Sequence, residues 1–130
     1  MKQLGRWMYS EKYDPPAPIV DVTINSPKRI KISALIDSGA DITVISKEKA
    51  DESSLISKPP VSVVFIKSPD YVGLAPIFLL EIEIGDEKFS IATAVAMIKE
   101  EGILGRDLLN KLVVELNGPE KVASIKLAGY

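Results

Sequence analysis

The 130-residue chain contains no histidine and no cysteine. These absences exclude Ser-His and Cys-His nucleophilic sites, thiol redox chemistry and zinc centres built from the usual ligands. Excess positive charge is missing too: the net charge is -2, and no basic stripe interrupts the sequence, which argues against nucleic acid as a partner. No apolar run reaches the length needed to cross a bilayer. The most hydrophobic zone, Leu74 to Ile84, is broken in alternation by Glu81 and Glu83. Met1 to Arg6 lacks the apolar centre of a signal peptide, so the expected location is cytoplasmic, with no membrane partner. With imidazole and thiol chemistry gone, carboxylates are the first candidates to carry any reaction.

What remains is the composition of a folded domain. Apolar residues make up 46% and charged residues 26%, and the length suits one hydrophobic core. Period-two alternation and turn residues dominate, which predicts an all-β fold. Ile19 to Ile24 alternates and is rich in β-branched residues; Asn25-Ser26-Pro27-Lys28 turns it into a returning strand, Ile30 to Ile36. Asp41 to Ile45 reads as a short strand, and Ser46 as the cap of a brief helix over Lys47 to Ser53. Val61 to Ile66 and Tyr71 to Leu80 form a hairpin around Lys67-Ser68-Pro69-Asp70. Leu79 to Ile84 and Phe89 to Val95 form a second one, around Gly85 to Lys88. A short helix is expected over Leu108 to Lys111, followed by a final hairpin of Leu112 to Leu116 with Val122 to Leu127. Residues 1–17, with Trp7, Tyr9 and Tyr13 and leading through Pro15-Pro16-Ala17 into Pro18, read as an extended arm ahead of a domain over 18–130.

Asp37-Ser38-Gly39 follows directly on the apolar strand Ile32 to Ile36. A carboxylate at such a strand end sits in a backbone-rich loop where its hydrogen bonds can be controlled. The tripeptide alone also fits an ordinary turn, with the aspartate capping its own loop. Its surroundings are more specific. Ala34 to Ile45, reading Ala-Leu-Ile-Asp-Ser-Gly-Ala-Asp-Ile-Thr-Val-Ile, resembles the active-site segment of the retropepsins, the single-domain aspartic proteases of retroviruses and their cellular relatives. Gly102 to Leu109, Gly-Ile-Leu-Gly-Arg-Asp-Leu-Leu, is similar to that family's second signature. Order, spacing and the hairpin between them agree over roughly Pro18 to Leu127.

The resemblance implies a retropepsin-like half-barrel with a flap hairpin and one short C-terminal helix, working as a homodimer on peptide or protein substrates without metal or cofactor. Asp37 would be the catalytic aspartate, one per subunit. The Ser38 hydroxyl would tie the two active-site loops together. Gly39, Ala40 and Asp41, with Val72 and Gly73 of the flap, would lie along the substrate. Asp41 would also pair with Arg106, which follows Gly105, bracing the loop against the helix. Asp107 is the variant of non-viral relatives, which points to a cellular rather than a viral member, and a prokaryotic one is expected. The flap departs from the viral pattern in lacking a glycine-rich tip. Two alternatives stand beside the endopeptidase: a catalytically silent dimer of the same fold that binds peptides or proteins, and a structural β-barrel subunit. The Glu81 and Glu83 pair shares one strand face and reads as solvated sheet surface rather than a second acid site.

Overall fold

The computed structural model describes residues 1–129, and alternation accounts for most of what it contains. Strand β1 (Lys2–Met8) is followed by β2 (Ile19–Asn25) and β3 (Ile30–Ile36), then β4 (Val44–Ser46) and helix α1 (Lys47–Glu52). Strands β5 (Ser62–Lys67), β6 (Val72–Ile84), β7 (Glu87–Ala96) and β8 (Gly102–Leu104) lead to helix α2 (Arg106–Leu109). The chain ends in β9 (Val113–Asn117) and β10 (Val122–Leu127). In β2, Val20, Val22 and Ile24 point inward; in β3, Ile32, Ala34 and Ile36 do the same. Burying each of the larger of these side chains contributes about 1.5–3 kcal/mol.

Seven strands form one sheet in the order β2-β3-β8-β4-β7-β6-β5. A further pairing of β2 with β6, through Thr23↔Glu83, Ile24↔Ile82 and Asn25↔Glu81, closes six of them into a barrel and leaves β5 projecting at an edge. Strand β6 is one element of 13 residues, not the two strands that the sequence suggests. Its even-numbered residues change environment along its length. Val72 and Leu74 are exposed, whereas Phe78, Leu80, Ile82 and Ile84 fill the core. The first part therefore belongs to the β5–β6 hairpin and the second to the barrel wall.

The remaining three strands form a second sheet, β1-β10-β9. The N-terminal residues are extended as strand β1, which pairs antiparallel with β10. Leu4, Ala123 and Ile125 are buried beneath this sheet, with Trp7 and Tyr9 packed at its margin. Two details differ from the sequence reading. The strand expected over Asp41 to Ile45 starts only at Val44, because Thr43 gives its N–H to the Asp107 carboxylate instead of to a ladder. The α2 helix begins at Arg106 and not at Leu108, so Asp107 falls in its first turn. Helix α1 starts where its cap predicts, with the Ser46 hydroxyl accepting the Lys49 N–H at 3.2 Å. Among the described residues, no helix is long and apolar enough to cross a membrane.

Candidate active site

Two motifs far apart in sequence meet because β3 and β8 run parallel in register, Ala34↔Gly102, Leu35↔Ile103 and Ile36↔Leu104. The residues that follow, Asp37 and Gly105, therefore emerge side by side at the same end of the sheet. The Asp37 N–H donates to Leu104 O at 3.1 Å, and the Arg106 N–H donates to Ala40 O at 2.9 Å. Between these ties the chain makes a tight turn. The Ala40 N–H bonds Asp37 O at 3.1 Å, and the Gly39 N–H bonds Asp37 Oδ1 at 2.9 Å. An aspartate that accepts an amide two residues on fixes its own carboxylate direction. Gly105 is required by proximity: a Cβ there would lie 2.4 Å from the Ile42 carbonyl, so any side chain would push the two loops apart.

Thr43 and Asp107 hold this arrangement from behind. The Thr43 side chain is fully buried, donates its hydroxyl to Asp107 Oδ1 at 2.7 Å and accepts the Gly105 N–H at 3.1 Å. Asp107 also takes the Thr43 N–H at 3.1 Å and the Leu108 N–H at 2.8 Å. Sequence reasoning left Thr43 unremarked; the signal was a hydroxyl inside the run Ile42-Thr43-Val44-Ile45, beside an aspartate in a helix's first turn. Arg106 works from the solvent side. Its guanidinium bonds Ser38 O at 2.8 Å and pairs with the Asp41 carboxylate, both side chains being substantially exposed at 46% and 83%.

Above the loop lies a cleft of about 390 Å³. Asp37, Gly39, Ala40 and Asp41 form its floor, the stretch from Val64 to Pro69 its roof, and Ile98 and Ile103 its wall. The structure thus brings Asp37, Gly39, Ala40 and Asp41 together at one surface. Val72 and Gly73 are not among the lining residues: Val72 faces solvent, and the Tyr71 ring lies against Gly73. Ser38 stands on the opposite flank of the loop, in an apolar recess with Ile36, Leu109, Leu112, Val114 and Leu116. Among the described residues, no group of three Asp, Glu, His or Cys side chains is placed to hold a metal ion.

A closed β-barrel with an Asp-Ser-Gly loop at a strand end, braced by Gly-Arg-Asp and roofed by a hairpin, defines the single-domain acid-protease class. The family model for retroviral aspartyl proteases matches residues 14–117, and the chain belongs to that family. Among solved structures, it is similar to a retropepsin-like aspartic protease from Rickettsia conorii, with a TM-score of 0.68 and 16% identity over 95% of this chain and 91% of that one. It is also similar to the retroviral protease-like domain of Ddi1 from Leishmania major, with a TM-score of 0.59 and 19% identity over 87% of this chain and 94% of that one. At these identities the likeness carries the fold. A search of curated proteins gives no match.

Proposed function

We propose that the chain is an aspartic endopeptidase whose active unit is a homodimer, with the two Asp37 carboxylates facing each other across a twofold axis. The observation that carries this reading is the placement of Asp37 on the cleft floor, its carboxylate aimed by the Gly39 amide and its loop fixed by Thr43 and Asp107. One chain supplies one such aspartate, whereas the reaction needs an acid and a base at the same bond. Two carboxylates about 3 Å apart share one proton, because both cannot ionise together. The ionised one takes a proton from water as the oxygen attacks the peptide carbonyl carbon. The protonated one donates to the carbonyl oxygen. Collapse of the tetrahedral intermediate then breaks the C–N bond, with a proton passing to the leaving nitrogen.

Two further features support a twofold assembly. Ser38 borders an apolar recess in which Leu116 is half exposed, and among the described residues β9 beside it is hydrogen-bonded to β10 alone, leaving its other edge open. Substrate would lie as an extended strand between the floor and the β5–β6 hairpin, which acts as a flap. Digestion of a peptide library from about pH 3 to 7, by wild type beside Asp37→Asn, tests the assignment. The variant should fold and dimerise yet cleave nothing, since an amide is no base. Cleavage by purified Asp37→Asn at wild-type rates would remove Asp37 from the mechanism.

A further inference from the structure

The tip of the β5–β6 hairpin is locked within itself. The Ser68 N–H donates to Tyr71 O at 2.9 Å, and the Ser68 hydroxyl donates to the same oxygen and accepts the Tyr71 N–H, each at 3.1 Å. The Tyr71 phenol donates to Leu74 O at 2.6 Å. Its ring lies against Gly73, whose φ of 152° is a conformation that residues with side chains avoid. A turn so cross-linked moves as one body.

That body is fastened to the barrel through Asp70. Its Oδ2 accepts the Lys99 N–H at 3.4 Å, and its Oδ1 lies 3.7 Å from Lys99 Nζ. Although it sits at a hairpin tip, the Asp70 side chain is only 23% exposed. Among the described residues, no other polar contact joins 68–71 to chain outside the hairpin. Lys99 follows Ile98, which lines the cleft and shares a small apolar cluster with Tyr71, Ile66 and Ile103. Polar and apolar contacts therefore seat the tip on one wall of the cleft, next to the residues that would meet substrate.

We propose that Asp70 and Lys99 form a clasp that positions the flap over the cleft, so that substrate meets a roof already set at working height. The proposal rests on the reading of the hairpin as the flap of an endopeptidase. Neither residue lines the cleft, so both act through the hairpin they hold. Without the clasp the tip samples raised positions, and substrate must suppress that motion on binding. The cost falls on binding, because nothing in the Asp37 loop has changed, and KM should rise while kcat holds.

Hydrogen exchange on the free protein, read by mass spectrometry, tests the clasp without any substrate. Asp70→Ala and Lys99→Ala should each speed exchange across residues 62–77 by about two- to fivefold, the range of an exposed ion pair. Exchange in the β2–β3 hairpin should stay unchanged, and the double variant should be no faster than Asp70→Ala. Asp70→Asn, which keeps an acceptor for the Lys99 N–H, should fall between Asp70→Ala and wild type. On the fastest-cleaved peptide of a library, Asp70→Ala should raise KM by a similar factor with kcat within about twofold. Unchanged exchange in both single variants, or additive effects in the double, would overturn the clasp whatever the peptide result. A fall in kcat at constant KM would overturn the positioning role. Faster flap exchange in a protein that cleaves no peptide would support the tether and overturn the endopeptidase reading instead.

Discussion

Replacing Thr43 with valine removes one oxygen from a fully buried side chain and preserves its shape. Two hydrogen bonds disappear: the one donated to Asp107 Oδ1 at 2.7 Å and the one accepted from the Gly105 N–H at 3.1 Å. A hydrogen bond to a carboxylate contributes about 1.5–3 kcal/mol, and a buried amide left without a partner costs about 1–3 kcal/mol. The two effects share one network and overlap, so the expected loss is about 3 kcal/mol. For a domain of this size that is a fall of about 10 °C in Tm. Asp41→Asn makes the contrast. It weakens an ion pair whose partners are 83% and 46% exposed, and such pairs contribute at most about 1 kcal/mol. Urea and thermal unfolding, followed by the fluorescence of Trp7, give both numbers on one scale. The double variant Thr43→Val/Asp107→Asn should lose less than the sum of the singles. A Thr43→Val protein no less stable than Asp41→Asn would refute the claim that the buried hydroxyl, and not the solvent-side pair, holds the loop.

If each protomer supplies one carboxylate, Asp37→Asn should poison wild type on mixing. After verified subunit exchange, equal inputs should leave about half the activity of the wild-type input, because wild-type homodimers are about a quarter of all dimers. Full activity retained after exchange would mean a complete site in each chain. Acid should act through Glu83, whose carboxyl is held below its ordinary range first by Asn25, at 3.3 Å, and then by Arg29, at 2.6 Å. A lowered folded-state pKa contributes stability above the unfolded value and loses it as pH falls through the folded one. The Tm difference between wild type and Glu83→Gln should therefore be present near neutrality and close in acid; a gap that stayed constant down to about pH 2 would exclude the linkage.

Legibility in the sequence followed the strength of local signals. The β2–β3 hairpin could be read because alternating β-branched residues flank turn residues, and the β9–β10 hairpin because apolar runs flank Asn117-Gly118-Pro119-Glu120, so that pattern and turn agree. Strand β1 could not, since Leu4 is its only buried residue and the rest is polar, glycine, the marginal Trp7 or the exposed Met8. Strand β8 spans three residues and takes its identity from the parallel partner β3, a long-range contact that no local window contains. The break assigned within β6 has a physical origin as well, because one alternating set passes from solvent at Leu74 to core at Phe78. At the site, Asp37, Gly39 and Arg106 were legible through motif resemblance. Thr43 was not, because threonine suits any strand and only burial reveals that its hydroxyl is committed.

The two flanks of the Asp37 loop are built differently, and the difference bears on how a site divided between subunits would work. On one flank Thr43, Asp107 and Gly105 bind the loop to α2 by short bonds within the same chain. That flank can set the carboxylate before any partner arrives, so little ordering remains to be done on association. On the other flank Ser38 is exposed beside an apolar recess, and the strand edge next to it has no partner among the described residues. An open apolar flank costs stability in an isolated chain unless something covers it. A twofold axis beside Asp37 would bring the same flank of a second copy against it, burying Leu116 and Leu112 in the step that supplies the second carboxylate. Assembly and activation would then be one event. Truncating the recess at Leu116 to serine should lower dimer affinity and activity together, while leaving the Thr43 network and the stability of the single chain as they were.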